Sequence, residues 1–197
     1  EGFLPGYNFT KLPLRAQLQY KSTKLEYLSR PKRLALSEFG PQNIIYNDGG
    51  KFRISRMEIL SEIIPHRFIY NPKTGVVYKD AENATRHIDI ITGESFNGAL
   101  IPGMCIEAQD MIAIETEKIT CQEEERSRKY YQTKTYFSSD DPRTISECEL
   151  LTFHGQHLAN IRYIPSCRLT YILESRNDNN GNGFAFDTKT GEWISNE

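Results

Sequence analysis

The sequence has no C-x-x-C pair, no G-x-x-x-x-G-K-S/T string, and no apolar run approaching the roughly 18–20 residues that a membrane-crossing helix needs. Each absence removes a class of function. Without the first, no tight turn can present two thiolates to a metal. Without the second, no Walker-type loop can cradle a nucleotide's phosphates. Without the third, no bilayer partner is expected. The opening Glu1-Gly2-Phe3-Leu4-Pro5-Gly6 also lacks the basic start and apolar stretch of a signal peptide. A cytoplasmic location is expected, with an upstream segment before residue 1. Four cysteines occur, Cys105, Cys121, Cys148 and Cys167, and in that setting they are expected to be buried and reduced. His154 and His157 are three apart but fall across a probable strand turn, without acidic or thiol neighbours at ligand spacing. Asn180-Gly181-Asn182-Gly183 reads as a turn, since no apolar-periodic helix follows it. No nucleophile–base–orienter set can be assembled, so catalytic residues are expected to be none.

What is present is a chain of 197 residues, 38% hydrophobic and 25% charged, enough for one large or two small cores. Its net charge of −2 conceals a split. Residues 1–80 carry 13 Lys+Arg against 7 Asp+Glu, and the remainder carries 11 against 19. A polyanion would prefer the first part, because phosphate neutralisation depends on local charge.

Turn signals divide most of the chain into short strands. Leu14, Ala16, Leu18 and Tyr20 alternate with polar residues, and Leu34, Leu36 and Phe39 suggest a second strand over 33–39. Residues 43–46 and 51–54 flank Asn47-Asp48-Gly49-Gly50, a hairpin signal. Residues 12–54 thus predict four strands in meander order, the makings of a small barrel. Ile59, Leu60, Ile63 and Ile64 suggest a short helix over 55–64. Further hairpins are expected around Asn71-Pro72-Lys73-Thr74-Gly75 and Asp187-Thr188-Lys189-Thr190-Gly191, and a strand from Ile88 runs into Thr92-Gly93. Additional strands are expected over 134–137, 150–153, 158–164 and 168–173. Residues 104–119 are apolar without a clear period. A capped helix is expected over 122–131, with Thr120 and Glu123 at capping-box spacing. The expected fold is mainly β (α+β): a small β-barrel plus a β-hairpin-rich appended subdomain with one short capped helix. The divisions are 1–65, 66–118 and 119–197, the last able to form one unit with the first.

The best ligand-contact candidates are Arg30, Lys32 and Arg33, joined across the predicted hairpin by Lys51, Arg53 and Arg56. Tyr20, Tyr27, Phe39, Tyr46 and Phe52 are interleaved with them. Basic grooves with aromatics grip single strands; equally, the aromatics could be core and the cations solvated. Glu123, Glu124 and Glu125 form either a solvated helix face or a partner-docking patch.

Several strings, in consistent order over nearly the whole chain, resemble one family. They include Gly2-Phe3-Leu4-Pro5-Gly6-Tyr7, then Leu12-Pro13-Leu14-Arg15-Ala16, then Ala35-Leu36-Ser37-Glu38-Phe39-Gly40-Pro41. Asp48-Gly49-Gly50-Lys51-Phe52-Arg53-Ile54 and Ile119-Thr120-Cys121-Gln122-Glu123-Glu124-Glu125-Arg126 follow, then Gly183-Phe184 through Trp193. Together these resemble the region C-terminal to the motor of bacterial superfamily 2 DEAD/DEAH-type helicases, similar to MrfA-type repair helicases and DrmA-like helicases of DISARM phage defence. The resemblance implies a non-catalytic region of an ATP-dependent helicase, with ATP and Mg bound only by the motor of the same chain. It further implies DNA contact through residues 30–56 and a defence-system protein partner. The family often carries two C-P-x-C-G knuckles that share a zinc. Here Asn71, Thr74, Asp89 and Thr92 stand at those places. Amide and hydroxyl side chains do not replace thiolates on zinc, so zinc is expected to be absent and the hairpins to be held by packing.

Overall fold

The computed structural model describes residues 12–60, 62–79, 87–101, 103–118, 131–139, 145–176 and 183–194. In chain order the elements are β1 (Leu14–Gln19), β2 (Leu25–Arg30), α1 (Lys32–Glu38), β3 (Ile44–Asn47), β4 (Gly50–Met57), β5 (Phe68–Tyr70) and β6 (Val77–Lys79). They continue with β7 (Ala99–Leu100), β8 (Met111–Lys118), β9 (Tyr131–Ser138), β10 (Ser146–Leu151), β11 (His157–Tyr163), β12 (Arg168–Arg176), β13 (Ala185–Phe186) and β14 (Trp193–Ile194). The fold is mainly β, as expected, and α1 is the one helix among the described residues. The chain divides into two units. One comprises 1–65, 106–134 and 172–197; the other comprises 66–105 and 135–171.

The first unit is built on a curled five-stranded sheet, half of a barrel, in the order β2-β1-β8-β4-β3. Leu14, Ala16 and Leu18 of β1, Phe52, Ile54 and Met57 of β4, and Met111 and Ala113 of β8 turn inward onto Ala35, Phe39 and Ile45. Phe52 and Ile54 are fully buried, each contributing roughly 1.5–3 kcal/mol relative to exposure. β3 and β4 close over Asp48 and Gly49, both with positive φ (45° and 72°), the turn expected from that sequence. The hairpin β13–β14 packs Phe186 and Trp193 onto the same core.

Three expectations need correction here. Residues 33–39 form α1 rather than a strand: the side chains that go inside are Ala35 and Phe39, one helical turn apart, not the alternating Leu34 and Leu36. Pro31 stands at its N-cap, where a missing N–H costs nothing. The barrel's missing strand is instead β2, and β8 inserts between β1 and β4, parallel to β1, so the sheet is not a meander. The described residues of 55–64 form no helix. β4 runs on through a bulge at Ile54/Arg56 to Met57, and the Met57 and Glu58 N–H groups donate to Gly191 and Asp110 carbonyls. The expected capped helix at 122–131 lies outside the described residues, apart from Tyr131, which begins β9.

The second unit contains the sheet β6-β5-β7 over a core of Ile69, Val76, Ile90 and Phe96. It also contains the two-stranded ribbon β10–β11. Cysteine burial does not hold: Cys148 and Cys167 are exposed and Cys105 is half-buried, all three as free thiols. Cys148 lies in the ribbon, where no residue of either strand is buried. Cys121 lies outside the described residues.

Candidate nucleic-acid interface

The pleat that sends Phe52 and Ile54 inward sends Lys51 and Arg53 to the opposite face of the sheet. Register extends that face across all five strands. Leu25 pairs with Gln19, Gln19 with Ile114, Ile114 with Arg53, and Arg53 with Ile44. On one side of this row stand Tyr27, Gln17, Ile112 and Arg56, paired in the same sequence. On the other stands Tyr46, opposite Lys51. The outer face therefore carries a central strip of apolar and amide side chains with cations set into it; Ile112 within it is buried, and the register sets Glu117 opposite Lys51. Leu25 is 56% exposed, Tyr27 58%, Ile114 46% and Tyr46 37%.

The six basic candidates do not form one patch. Lys51, Arg53 and Arg56 come together on β4, and Arg53 and Arg56 make no ion pair among the described residues. Arg30 sits at the end of β2 with its Nε 2.7 Å from Glu38 Oε2, and Lys32 at the start of α1 pairs with Glu107 at 3.2 Å. Lys32 and Arg33 occupy the helix N-terminus, where the dipole disfavours a cation, and Arg33 too has a partner. The aromatics divide likewise. Phe39 and Phe52 are core, Tyr20 meets Phe52 edge-on at 4.8 Å between centroids, and only Tyr27 and Tyr46 remain outside. Sequence reading missed Arg15, whose guanidinium lies 5.5 Å over the Tyr27 ring while bonded to Asp110 at 2.8 Å. Its place in an alternating strand was the available signal.

A second site lies in the other unit, where two turns read from the sequence meet through hydrogen bonds as well as packing. The turns 71–75 and 89–93 share one hydrogen-bond pattern. In each, the glycine N–H donates to the first residue's carbonyl at 2.8 Å, and the third residue's N–H donates to the first side chain's Oδ1, at 3.0 Å from Lys73 and 2.9 Å from Ile91. Gly75 and Gly93 take φ of 76° and 72°, which only glycine adopts cheaply. Asn71 and Thr74 then meet Asp89. Asn71 Nδ2 and Thr74 Oγ1 each donate to Asp89 Oδ2 at 2.7 Å, and Thr92 N–H reaches Oδ1 at 3.3 Å. Asp89 is 1% exposed. Burial alone would push its carboxyl up, but the bonds from Thr74, Ile91, Asn71 and Thr92 outweigh it and hold the group below its ordinary value. Four donors, from Asn71, Thr74, Ile91 and Thr92, converge on the carboxylate, so the cluster is a hydrogen-bonded clasp. The turn 187–191 repeats the pattern alone, with Gly191 N–H on Asp187 O at 2.8 Å and Lys189 N–H on Asp187 Oδ1 at 2.7 Å.

His154 and His157 are exposed, and His157 Nε2 lies 2.7 Å from Asn160 Oδ1. Glu123, Glu124 and Glu125 lie outside the described residues. No family model, curated protein or solved structure matches this chain.

Proposed function

We propose that this chain is a non-catalytic accessory region of an ATP-dependent nucleic-acid helicase or translocase, and that it guides a nucleic-acid strand over the outer face of its five-stranded sheet. The observation that carries the reading is the placement of Lys51, Arg53 and Arg56 on one face of the sheet, Arg53 exposed and the other two half-buried, beside exposed Tyr27 and Tyr46. Cations so placed contact phosphates and position a strand without specifying sequence. The family resemblance gains support from the clasp. Positions 71, 74, 89 and 92, which it assigns to one knuckle pair, meet around a single carboxylate although they are spread over 22 residues. ATP and Mg belong to the motor of the parent protein, and repair or phage defence is the proposed setting.

Fluorescence anisotropy with labelled DNA tests this. Binding is expected to weaken with salt, and Arg53→Glu to lower the log–log salt slope by more than the roughly 0.7–0.9 of one lost phosphate contact. Salt-insensitive binding, or none at low salt, would remove the direct-contact role.

A second reading, a protein-interaction module, is favoured by the ribbon. Cys148, Leu150, Ala159, Ile161 and Tyr163 share one face of β10–β11, all exposed, while the Glu147–Arg162 pair at 3.0 Å marks the other. On that reading Ile161→Ser, like charge reversal at Glu123 to Glu125, abolishes co-purification with a defence-system partner and leaves DNA anisotropy flat.

A further inference from the structure

The outer face of the sheet carries more than charge. Its central row, Leu25, Gln19, Ile114, Arg53 and Ile44, alternates apolar, amide and cationic groups across five strands, a span of ~19 Å at the usual strand spacing. Two tyrosines stand toward opposite edges, Tyr27 on β2 beneath the Arg15 guanidinium and Tyr46 on β3, and both are exposed residues. Gln17 Nε2 donates to the Tyr27 hydroxyl at 3.2 Å and Gln19 Nε2 reaches Gln17 Oε1 at 3.4 Å, so the amides form a chain along β1 rather than pairing with acids.

A duplex presents phosphate and sugar to a surface of this size, and its bases are already stacked on each other. Laying charged backbone over Leu25, Ile114 and Ile44 would strip water from the phosphates, with Arg53 alone in that row to offset it. An unpaired strand differs. Its bases have free π-faces and apolar edges, its phosphates can turn to Arg53 and Arg56, and its amide-bearing edges can bond to Gln17 and Gln19. The row has room for a few nucleotides, within the range of about 4–16 known for barrel-type single-strand binders.

We infer that the ligand of this face is single-stranded nucleic acid held through its bases, with Tyr46 and Ile114 as the main stacking and apolar contacts and Arg53 as the phosphate contact between them. The inference rests on the nucleic-acid reading above and narrows it to unpaired strands. Its test compares a labelled twelve-nucleotide oligothymidine with a blunt twelve-base-pair duplex, on the full chain and at matched salt.

The single strand is expected to bind at least tenfold more tightly than the duplex. Tyr46→Ala should weaken it by about five- to a hundredfold, and Ile114→Ala by a smaller factor, both without changing the salt slope, since neither touches phosphate. Tyr46→Phe should bind as the parent does. Both positions are exposed, so unchanged melting curves will certify the fold. Equal affinity for duplex, or alanine variants that bind normally while Arg53→Glu does not, would overturn the base contact and leave the phosphate reading standing. Failure of both oligonucleotides to bind would overturn the two together.

Discussion

Removing the charge of Asp89 should loosen the whole region that the two turns hold. Its carboxylate accepts from Asn71, Thr74, Ile91 and Thr92 while 1% exposed. A hydrogen bond to a charged group contributes roughly 1.5–3 kcal/mol, though four on one acceptor do not add. Asp89→Ala strands all four donors and should cost about 3–5 kcal/mol. Asp89→Asn keeps Oδ1 for the two backbone N–H groups but sets an NH2 against Asn71 and Thr74. The Thr74 hydroxyl can rotate to accept, whereas the Asn71 amide is held in place by the Lys73 N–H on its Oδ1, so about 1–3 kcal/mol is expected. In a domain of 60–100 residues, 1 kcal/mol moves the midpoint by roughly 4–8 °C. Thermal melting followed by tyrosine fluorescence, with amide hydrogen exchange over 69–78 and 88–96, would place the loss. The pH dependence has a definite sign. Because the folded carboxyl titrates below its ordinary value, its contribution is complete above the unfolded pKa of about 3.9 and disappears as pH falls through the folded one. The gap between parent and Asp89→Asn should therefore be constant from pH 7 to about 5 and close in stronger acid. A gap that widens as pH falls below 5, or an Asn variant that melts with the parent at pH 7, would refute the clasp.

Gly191 takes φ of 74° and a Cβ there would run into the Met57 carbonyl oxygen, whereas Gly49, at φ 72°, faces open space. Gly191→Ala should cost about 2–4 kcal/mol and Gly49→Ala about 1 kcal/mol in urea unfolding; equal losses would contradict the close approach. Of the described cysteines, Cys148 and Cys167 should react at once with a thiol reagent and Cys105 more slowly, a ranking readable by mass spectrometry. Replacing Asn71, Thr74, Asp89 and Thr92 together by cysteine should create a site for one zinc ion, measured by metal analysis after gel filtration. No uptake would remove the equivalence of the clasp with a knuckle pair. Ile54→Ala, which empties a fully buried position in β4, should cost about 2–5 kcal/mol in the same urea assay.

Features fixed by neighbours in sequence are legible from the sequence. The turn at Asp48-Gly49 and the three turns ending in Thr-Gly need only side chains that tolerate or bond their own backbone. Where tertiary context decides, reading failed. In 33–39 the alternating leucines imitate a strand, and only the burial of Ala35 against the sheet selects the helix. β2 was missed because its inward positions are Glu26, Leu28 and Arg30, a polar pattern sustained by Tyr20 and Lys24 on Glu26 and by Glu38 on Arg30. The basic candidates were found as residues but not sorted. That Lys32 is neutralised by Glu107 and Arg53 by no described acid depends on contacts up to 75 residues apart.

The place of β8 bears on how the chain is made. Residues 14–57 supply four of the sheet's five strands, yet β1 and β4 flank a gap that only Met111–Lys118 fills. At a synthesis rate of roughly 5–20 residues per second, the interval between the emergence of Met57 and that of Lys118 lasts several seconds. During it, two strands stand with bare ladder edges beside an unfinished core, open to any passing extended segment. A holdase that covers those edges, or a pause that delays their appearance, would raise the yield of folded protein. A truncation before residue 111 would leave the gap permanent and should direct the product to aggregates.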